Sequence, residues 1–375
     1  MNASFRSSTC ALFCAMVPTV GCSQAVDSPE ETGATSQAIT SRPAPGTVFT
    51  QTNAADHNEL VEYSRASDGT LTLAATLATG GRGIGSGLTA QGALAHEGRW
   101  LFVVNAGSDD ISTFDLGSSP ASLVARTPSG GSRPVSVTAH DGVVYVLDAG
   151  GAGNIAGFRV DGAGALRAIP GTKLPLSGPG VTPTEVAFAP DGDTLIVTEK
   201  GGNNIDAYYV DVTGRAHGPT VTPSNGPAPF GFDFSPRGEL VVSEAAESAA
   251  SAYALVGEVR LDSLSASVLN TQSAACWLVV APDGRHAFTA NAGSGTLSSY
   301  AIDRQGKLTL LTAEAGVTGT GSHPVDMAFA ASGGYLYSLA NVAGAITAFS
   351  VDGGRLTKVG SVDSLPPSAA GLVAW

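Results

Sequence analysis

The chain has 375 residues, 48 of them glycine and 21 proline, with 43% hydrophobic side chains, only 14% charged ones and a net charge of −13. A charged fraction well under the usual ~25% excludes coiled coils and long charged helices, and the ample apolar fraction excludes a disordered chain. With 19 Lys and Arg against 32 Asp and Glu and no basic cluster, nothing suits a nucleic acid or an anionic membrane surface as partner of the folded part.

Arg6 is the only charge before Asp27, and Cys10 to Val17 form an apolar stretch far short of the ~20 residues that span a bilayer. Thr19-Val20-Gly21-Cys22 follows. A small-residue run ending in Cys resembles the lipobox of bacterial lipoproteins, with Thr19 where Leu is usual, and makes Cys22 the expected lipidation site. An ordinary secretory peptide cleaved nearby is the other reading. The polar, Pro/Ser/Thr-rich residues up to 44 have nothing to bury and read as a tether. The expected organisation is a signal peptide over 1–21, a tether over 22–44 and a folded domain over 45–375. The protein is thus expected to be exported, as an envelope lipoprotein or a secreted protein, touching a membrane only through a lipid anchor. Removal of Cys10 and Cys14 with the signal and lipidation of Cys22 leave Cys276 alone, which reads as a small buried hydrophobe.

From residue 93 onward the chain repeats itself. ALAHEGRWLFVVNAGSDDISTFDL begins at Ala93, VSVTAHDGVVYVLDAGGAGNIAGFRVD at Val135 and VAFAPDGDTLIVTEKGGNNIDAYYVD at Val186. FDFSPRGELVVSEA begins at Phe232, LVVAPDGRHAFTANAGSGTLSSYAID at Leu278 and MAFAASGGYLYSLANVAGAITAFSVDG at Met327. A turn glycine recurs at Gly98, Gly142, Gly192, Gly238, Gly284 and Gly333, at intervals of 44 to 50 residues. Runs such as Leu195-Ile196-Val197 are short, β-branched and bounded by Gly, Asp or Pro, which predicts strands. Asp141-Gly142, Asp191-Gly192 and Asp283-Gly284 supply the positive φ of tight hairpins. Four antiparallel strands per unit make the blade of a β-propeller. A helical propensity over 244–252 competes in the fifth blade, and the repeat register overrides it there.

The ends complete the ring. Val48 to Asn53 matches second strands, Leu60 to Ser64 a third and Leu71 to Ala74 a fourth, so the opening unit lacks its first strand. The chain ends with Pro366 to Trp375, which reads as a first strand with nothing after it. The prediction is an all-β, seven-bladed propeller whose C-terminal strand closes the first blade and hides the sheet edges.

In such a ring the loops between second and third strands and the connections between blades meet at one mouth of the central channel. Charged residues are scarce, so those assigned to the mouth stand out: Glu199, Lys200, Glu244, Glu247, Arg82, Arg133, Asp56 and His57. Glu199 and Glu244 follow second strands on adjacent blades, which predicts a rim pair able to work as general acid and base. A solvated rim, or Glu-Lys pairing that only fixes a loop, is the alternative. Lys200, Arg82, Arg133, Phe230 and His57 are expected to bind a small-molecule or carbohydrate ligand there. GGRGIGSG lacks G-x-G-x-x-G spacing and reads as a flexible connection. No G-x-S-x-G elbow, clustered His/Cys set or EF-hand-like loop occurs, so neither a metal nor another cofactor is expected.

Seven such units with the pattern P-x(6)-P-D-G resemble the lactonase family of seven-bladed propellers, which includes 6-phosphogluconolactonase and the fungal carboxymuconate-lactonising enzyme, over roughly residues 45–375. VNAGSDDISTF and TANAGSGTLSSY are also similar to YVTN-type repeats of envelope proteins. GGRGIGSG, QGAL, VTEK, PFGF and ACW look closest to a secreted branch of the group. The resemblance implies four catalytic positions, of which only Glu244, in Ser243-Glu244-Ala245, keeps the family residue. Thr184 stands where the family offers His, Ala228-Pro229-Phe230-Gly231 replaces G-P-R-H, and Ala292 replaces an Arg. It therefore implies an envelope hydrolase opening a neutral lactone, with Glu244 as base toward water and Glu199-Lys200 positioning the ring. A non-catalytic propeller binding a ligand, glycan or envelope protein is the second expectation.

Overall fold

Second and third strands are continuous apolar runs because each blade is covered on both faces by its neighbours. Trp100–Asn105, Val143–Asp148 and Thr194–Glu199 are buried almost throughout, whereas outer strands such as Leu71–Ala78 and Arg355–Val362 are largely open to solvent. The structure, a computed structural model, describes residues 45–375, so Cys22, the expected signal peptide and the tether lie outside the described residues. Seven antiparallel sheets form the ring, and no helix occurs among the described residues.

The C-terminal strand Ala370–Ala374 is the innermost strand of blade one, pairing Val48 with Ala374 and Phe49 with Val373. Trp375 locks it: its backbone exchanges two 3.1 Å hydrogen bonds with Thr47, and its ring stacks on Phe49 and His96 at 5.2 and 4.3 Å. The six turn glycines all take left-handed φ, between 56° and 93°. The turns differ in type, however. Asp141 and Gly142 are both left-handed and join His140 directly to Val143, while in Ala189-Pro190-Asp191-Gly192 only the glycine is, because Pro190 opens a longer turn.

Two departures from the plain repeat bear on the site. Blade three has its outer strand cut into Leu166–Ala168 and Leu174–Pro175 by a Pro170-Gly171 turn, held by Thr172 Oγ1 on the backbone of Gly157. In blade five the helix-prone stretch is a turn over 245–248 and a strand, Ala249–Val256, whose Ala250 and Ala252 are buried in the apolar core.

The central channel is not open. Gly87 to Gly92, in the connection from blade one to blade two, dips into it. Gln91 N–H donates to Thr184 O at 2.9 Å on blade four, and Trp277 Nε1–H donates to Ala90 O at 3.0 Å from blade six. The Gln91 amide reaches across the axis, with Nε2 donating to Leu278 O at 2.8 Å and Oε1 accepting from Leu278 N–H at 3.0 Å. A Cβ on Gly231 would stand 2.1 Å from Gln91 Oε1, so glycine there admits the plug.

Candidate functional site at the channel mouth

The residue preceding the innermost strand is left-handed in five consecutive blades: Arg133 (φ 55°), Thr182 (52°), Ala228 (59°), Ala274 (55°) and His323 (57°). Four of the five precede proline, which turns the chain sharply at the mouth. Each carbonyl accepts from the residue just after the second strand: Ala149 on Arg133, Lys200 on Thr182, Ala245 on Ala228, Ala292 on Ala274 and Asn341 on His323. This recurring bond gathers two positions per blade around one opening. Half are alanine, and the basic side chains among them are Arg133, Lys200 and His323.

Leu88 and Thr89 of the plug divide the mouth into two cavities that share them. One, of about 200 Å³, lies against Arg133, Val135, Ala152, Val181 and Thr182. The other, of about 80 Å³, lies against Trp277, His323, Val325, Asn341 and Ala370. Both fall below the ~300–1,000 Å³ that engulf a drug-sized ligand, so the mouth suits a small molecule lying over the plug. Neither cavity is lined by a carboxylate, although the chain carries a net charge of −13. Lys200 Nζ stands 5.6 Å over the ring of buried Phe230, and Phe230 packs on Trp277 at 4.8 Å. His323 Nδ1 lies 3.1 Å from Asn341 Oδ1. Because that oxygen only accepts, Nδ1 is the donor of this pair.

The predicted ligand residues divide. Arg133 lines the larger cavity, while Lys200 and Phe230 line neither and lie behind Trp277, on which Phe230 packs. Arg82 is exposed over the junction of blades one and two, its N–H donating to Ser108 Oγ, and His57 is an exposed partner of Asp56 at 3.0 Å; neither lines these cavities. Cys276 borders Lys200, and burial pushes its thiol up to about 12, so it stays protonated.

Glu199 and Glu244 were expected at the rim, and the structure buries both at 0% exposure. They end their second strands facing into the blade, at the position that Asn105, Asp148 and Asn291 occupy elsewhere, and anchor the incoming connection. Glu244 accepts from Gly226 N–H at 2.7 Å, Ser251 Oγ at 2.5 Å and Ser267 Oγ at 2.6 Å. Glu199 accepts from the N–H and the hydroxyl of Ser177. Glu199 is thus held by the incoming connection, and Glu244 by Gly226 of its incoming connection together with Ser251 and Ser267 of the third and fourth strands of its blade.

A third set of acids escaped sequence reasoning. Glu185 accepts from Phe232 N–H at 2.7 Å and Asp233 from Val280 N–H at 2.8 Å, each bond running to the next blade. Asp326 likewise accepts from Leu372 N–H of the closing strand. Burial raises all three carboxyls, Asp233 to about 6 and Asp326 to about 8. The signal was a lone acid inside an otherwise apolar innermost strand, in TEVAF, GFDF and VDMAF. His323 was legible in the same way, in the series RP, TP, AP and HP.

A family model described as lactonase, 7-bladed beta-propeller, matches residues 93–258 and 268–374. A protein from Lactobacillus plantarum superposes with a TM-score of 0.72 at 16% identity, over 87% of this chain and 98% of its own. The periplasmic gluconolactonase of Pseudomonas aeruginosa gives 0.69 at 18% identity, over 88% and 98%. A putative 6-phosphogluconolactonase from Bacteroides fragilis gives 0.69 at 16%, over 88% and 98%. At these identities the superpositions establish a common fold. No curated protein matches the chain.

Proposed function

The chain belongs to the lactonase family of seven-bladed β-propellers, and from that membership we propose that it hydrolyses a small lactone seated at the channel mouth. The observation that carries the reading is Lys200 Nζ at 5.6 Å over Phe230. Phe230 stands where the family resemblance calls for arginine, and Lys200 returns a cation to that place from the neighbouring blade. The Phe230–Trp277 pair is the apolar floor for the ring, with Lys200 on one side and His323 on the other.

In this reading His323 Nε2 takes a proton from water as the water oxygen adds to the lactone carbonyl. Lys200 stabilises the oxyanion that forms there. Collapse of the adduct breaks the ring C–O bond, and the proton on Nε2 passes to the departing alkoxide, leaving a hydroxy acid. Arg133, in the adjoining cavity, attracts an acidic substituent or the product carboxylate. Acid-free cavities in an acidic protein support a ligand with developing or standing negative charge, which departs from the neutral lactone expected on missing family residues alone. Glu199 and Glu244 keep the structural role that their donors give them.

We place the protein in the cell envelope, on the support of the export signal read at Cys22. The test is a hydrolysis screen over aldonolactones and homoserine lactones, with Lys200→Ala and His323→Ala as controls. Turnover that survives both substitutions removes this mechanism. Binding of aldonates without turnover of any lactone favours the non-catalytic alternative, in which the mouth only captures a ligand.

A further inference from the structure

In blades two, five and six the polar residue that ends the second strand meets a hydroxyl two positions into the third strand, and the repeat allows blade to be compared with blade. Asn105 meets Ser112 at 2.8 Å, Glu244 meets Ser251 at 2.5 Å and Asn291 meets Ser298 at 2.9 Å. Each pair joins a hydroxyl to an amide or carboxylate, and none sets one acid against another. In blade four the corresponding residue is Asp206, two positions into Asn204–Val210, so an acid faces the acid Glu199. Both are fully buried. The N–H of Ser177 donates to the two carboxyls at once, to Glu199 Oε1 at 3.0 Å and Asp206 Oδ2 at 2.9 Å. Asp206 Oδ1 has no hydrogen-bond partner, which is the position a proton would fill. The Tyr208 hydroxyl, the other titratable group beside Asp206, donates to Pro175 O, and the outer strand presents Val221 opposite.

Ser177 begins the Ser177–Thr182 connection between blades three and four, whose Gly180, Val181 and Thr182 wall the Arg133 cavity. Its far end is stapled to the loop that carries Lys200, through Gly201 N–H on Val181 O at 2.7 Å and Lys200 N–H on Thr182 O at 3.1 Å. Gly178 and Pro179 make no hydrogen bond to the rest of the molecule. The acid pair is therefore the anchor at one end of a wall of the mouth.

We propose that protonated Asp206 and Glu199 form a proton-dependent latch, and that loss of the shared proton releases the Ser177–Thr182 wall of the mouth. Burial first, and the neighbouring Glu199 second, hold the Asp206 carboxyl far above the ordinary carboxylate range. With the proton in place, Asp206 donates to Glu199, and Ser177 sees one shared acceptor pair. Without it, two like charges sit in contact out of water, and the cheapest relief is to move apart and admit solvent. The latch closes in acid and opens as pH rises. It does not depend on the mouth being a hydrolase.

Amide hydrogen exchange over 176–183, corrected for intrinsic rates, tests this between pH ~5 and ~9.5. The wild type is expected to lose more than tenfold of its protection there as pH rises, with the rest of blade four unchanged. Asp206→Asn removes the charge, and Asp206→Ser installs the pair already used in blades two, five and six; both are expected to hold protection flat across the range. Flat protection in the wild type would overturn the latch. So would a pH-dependent loss that persists in the serine variant, which keeps the test valid should the asparagine variant fold poorly.

Discussion

The side-chain amide of Gln91 pairs with the backbone of Leu278 as an adjoining strand would, accepting from its N–H at 3.0 Å and donating to its carbonyl at 2.8 Å. One connection thereby ties blade two to blade six through the middle of the ring. The channel becomes a packed core, and the mouth is left as two shallow cavities over the plug.

Removing that amide leaves both Leu278 groups buried without partners. Gln91→Ala is expected to lower stability by about 2–4 kcal/mol in urea denaturation. Gly231→Ala, whose new Cβ would press on Gln91 Oε1 at 2.1 Å, is expected to cost at least ~2 kcal/mol alone. In the double variant part of that cost is relieved, giving a coupling above ~1 kcal/mol. Strict additivity would mean that the two do not meet across the channel.

Deleting Ala370 to Trp375 strips blade one of its innermost strand and uncovers the edge of Gly46–Gln51. The expected outcome is a lower melting temperature together with concentration-dependent association, seen by calorimetry and light scattering. A monomer with the parent's melting curve would contradict the closure.

The buried carboxyls make stability depend on pH, and the sign can be worked out. Glu185, Asp233 and Asp326 bind protons in the folded chain at pH values where the unfolded chain has released them. Their contribution is complete below the unfolded value near 4 and is lost as pH rises toward about 8, where Asp326 ionises. Asp115, lowered to about 2 chiefly by its hydrogen bond to Arg99, acts oppositely, stabilising above its unfolded value and losing that as pH falls. Unfolding free energies measured from pH ~3 to ~9 are expected to peak between pH ~4 and ~5 and fall by a few kcal/mol by pH ~8. Asp326→Asn, neutral throughout, is expected to flatten the alkaline side. A curve rising toward pH ~8 would refute the assignment.

Activity and stability should separate by residue. Lys200→Ala and His323→Ala remove exposed or half-buried side chains and are expected to cut kcat/KM by ~10²-fold or more with little change in melting temperature. Glu244→Ala leaves Gly226 N–H, Ser251 and Ser267 without their acceptor and is expected to cost about 2–4 kcal/mol in stability. A Glu244→Gln variant with full stability and no turnover would return the catalytic role to Glu244.

Much of the fold was legible because a propeller writes itself as a period. The turn glycines, the opening unit without a first strand and the terminal Pro366 to Trp375 segment follow from strand periodicity and from the need to hide edges, which act locally along the chain. The candidate site was harder to read. Glu199 and Glu244 looked like rim residues because charge in an acid-poor loop suggests exposure. Their burial depends on Ser177 and Gly226, which reach them only after the incoming connections fold over the blades, and on Ser251 and Ser267, which strand pairing brings beside Glu244.

By itself the order of residues determined seven four-stranded sheets, their closure and the face on which the connections gather, since hydrophobic alternation and turn chemistry need only near neighbours. Tertiary structure alone decided which side chains remain at that face. The plug at Gly87 to Gly92 fills the axis, the anchors draw the acids inward, and Arg133, Lys200 and His323 are left around the opening. The physical reason is that desolvation and hydrogen-bond partners are set by strand pairing and by contacts between blades, among groups from 7 to 187 residues apart in the chain, and no local pattern records them.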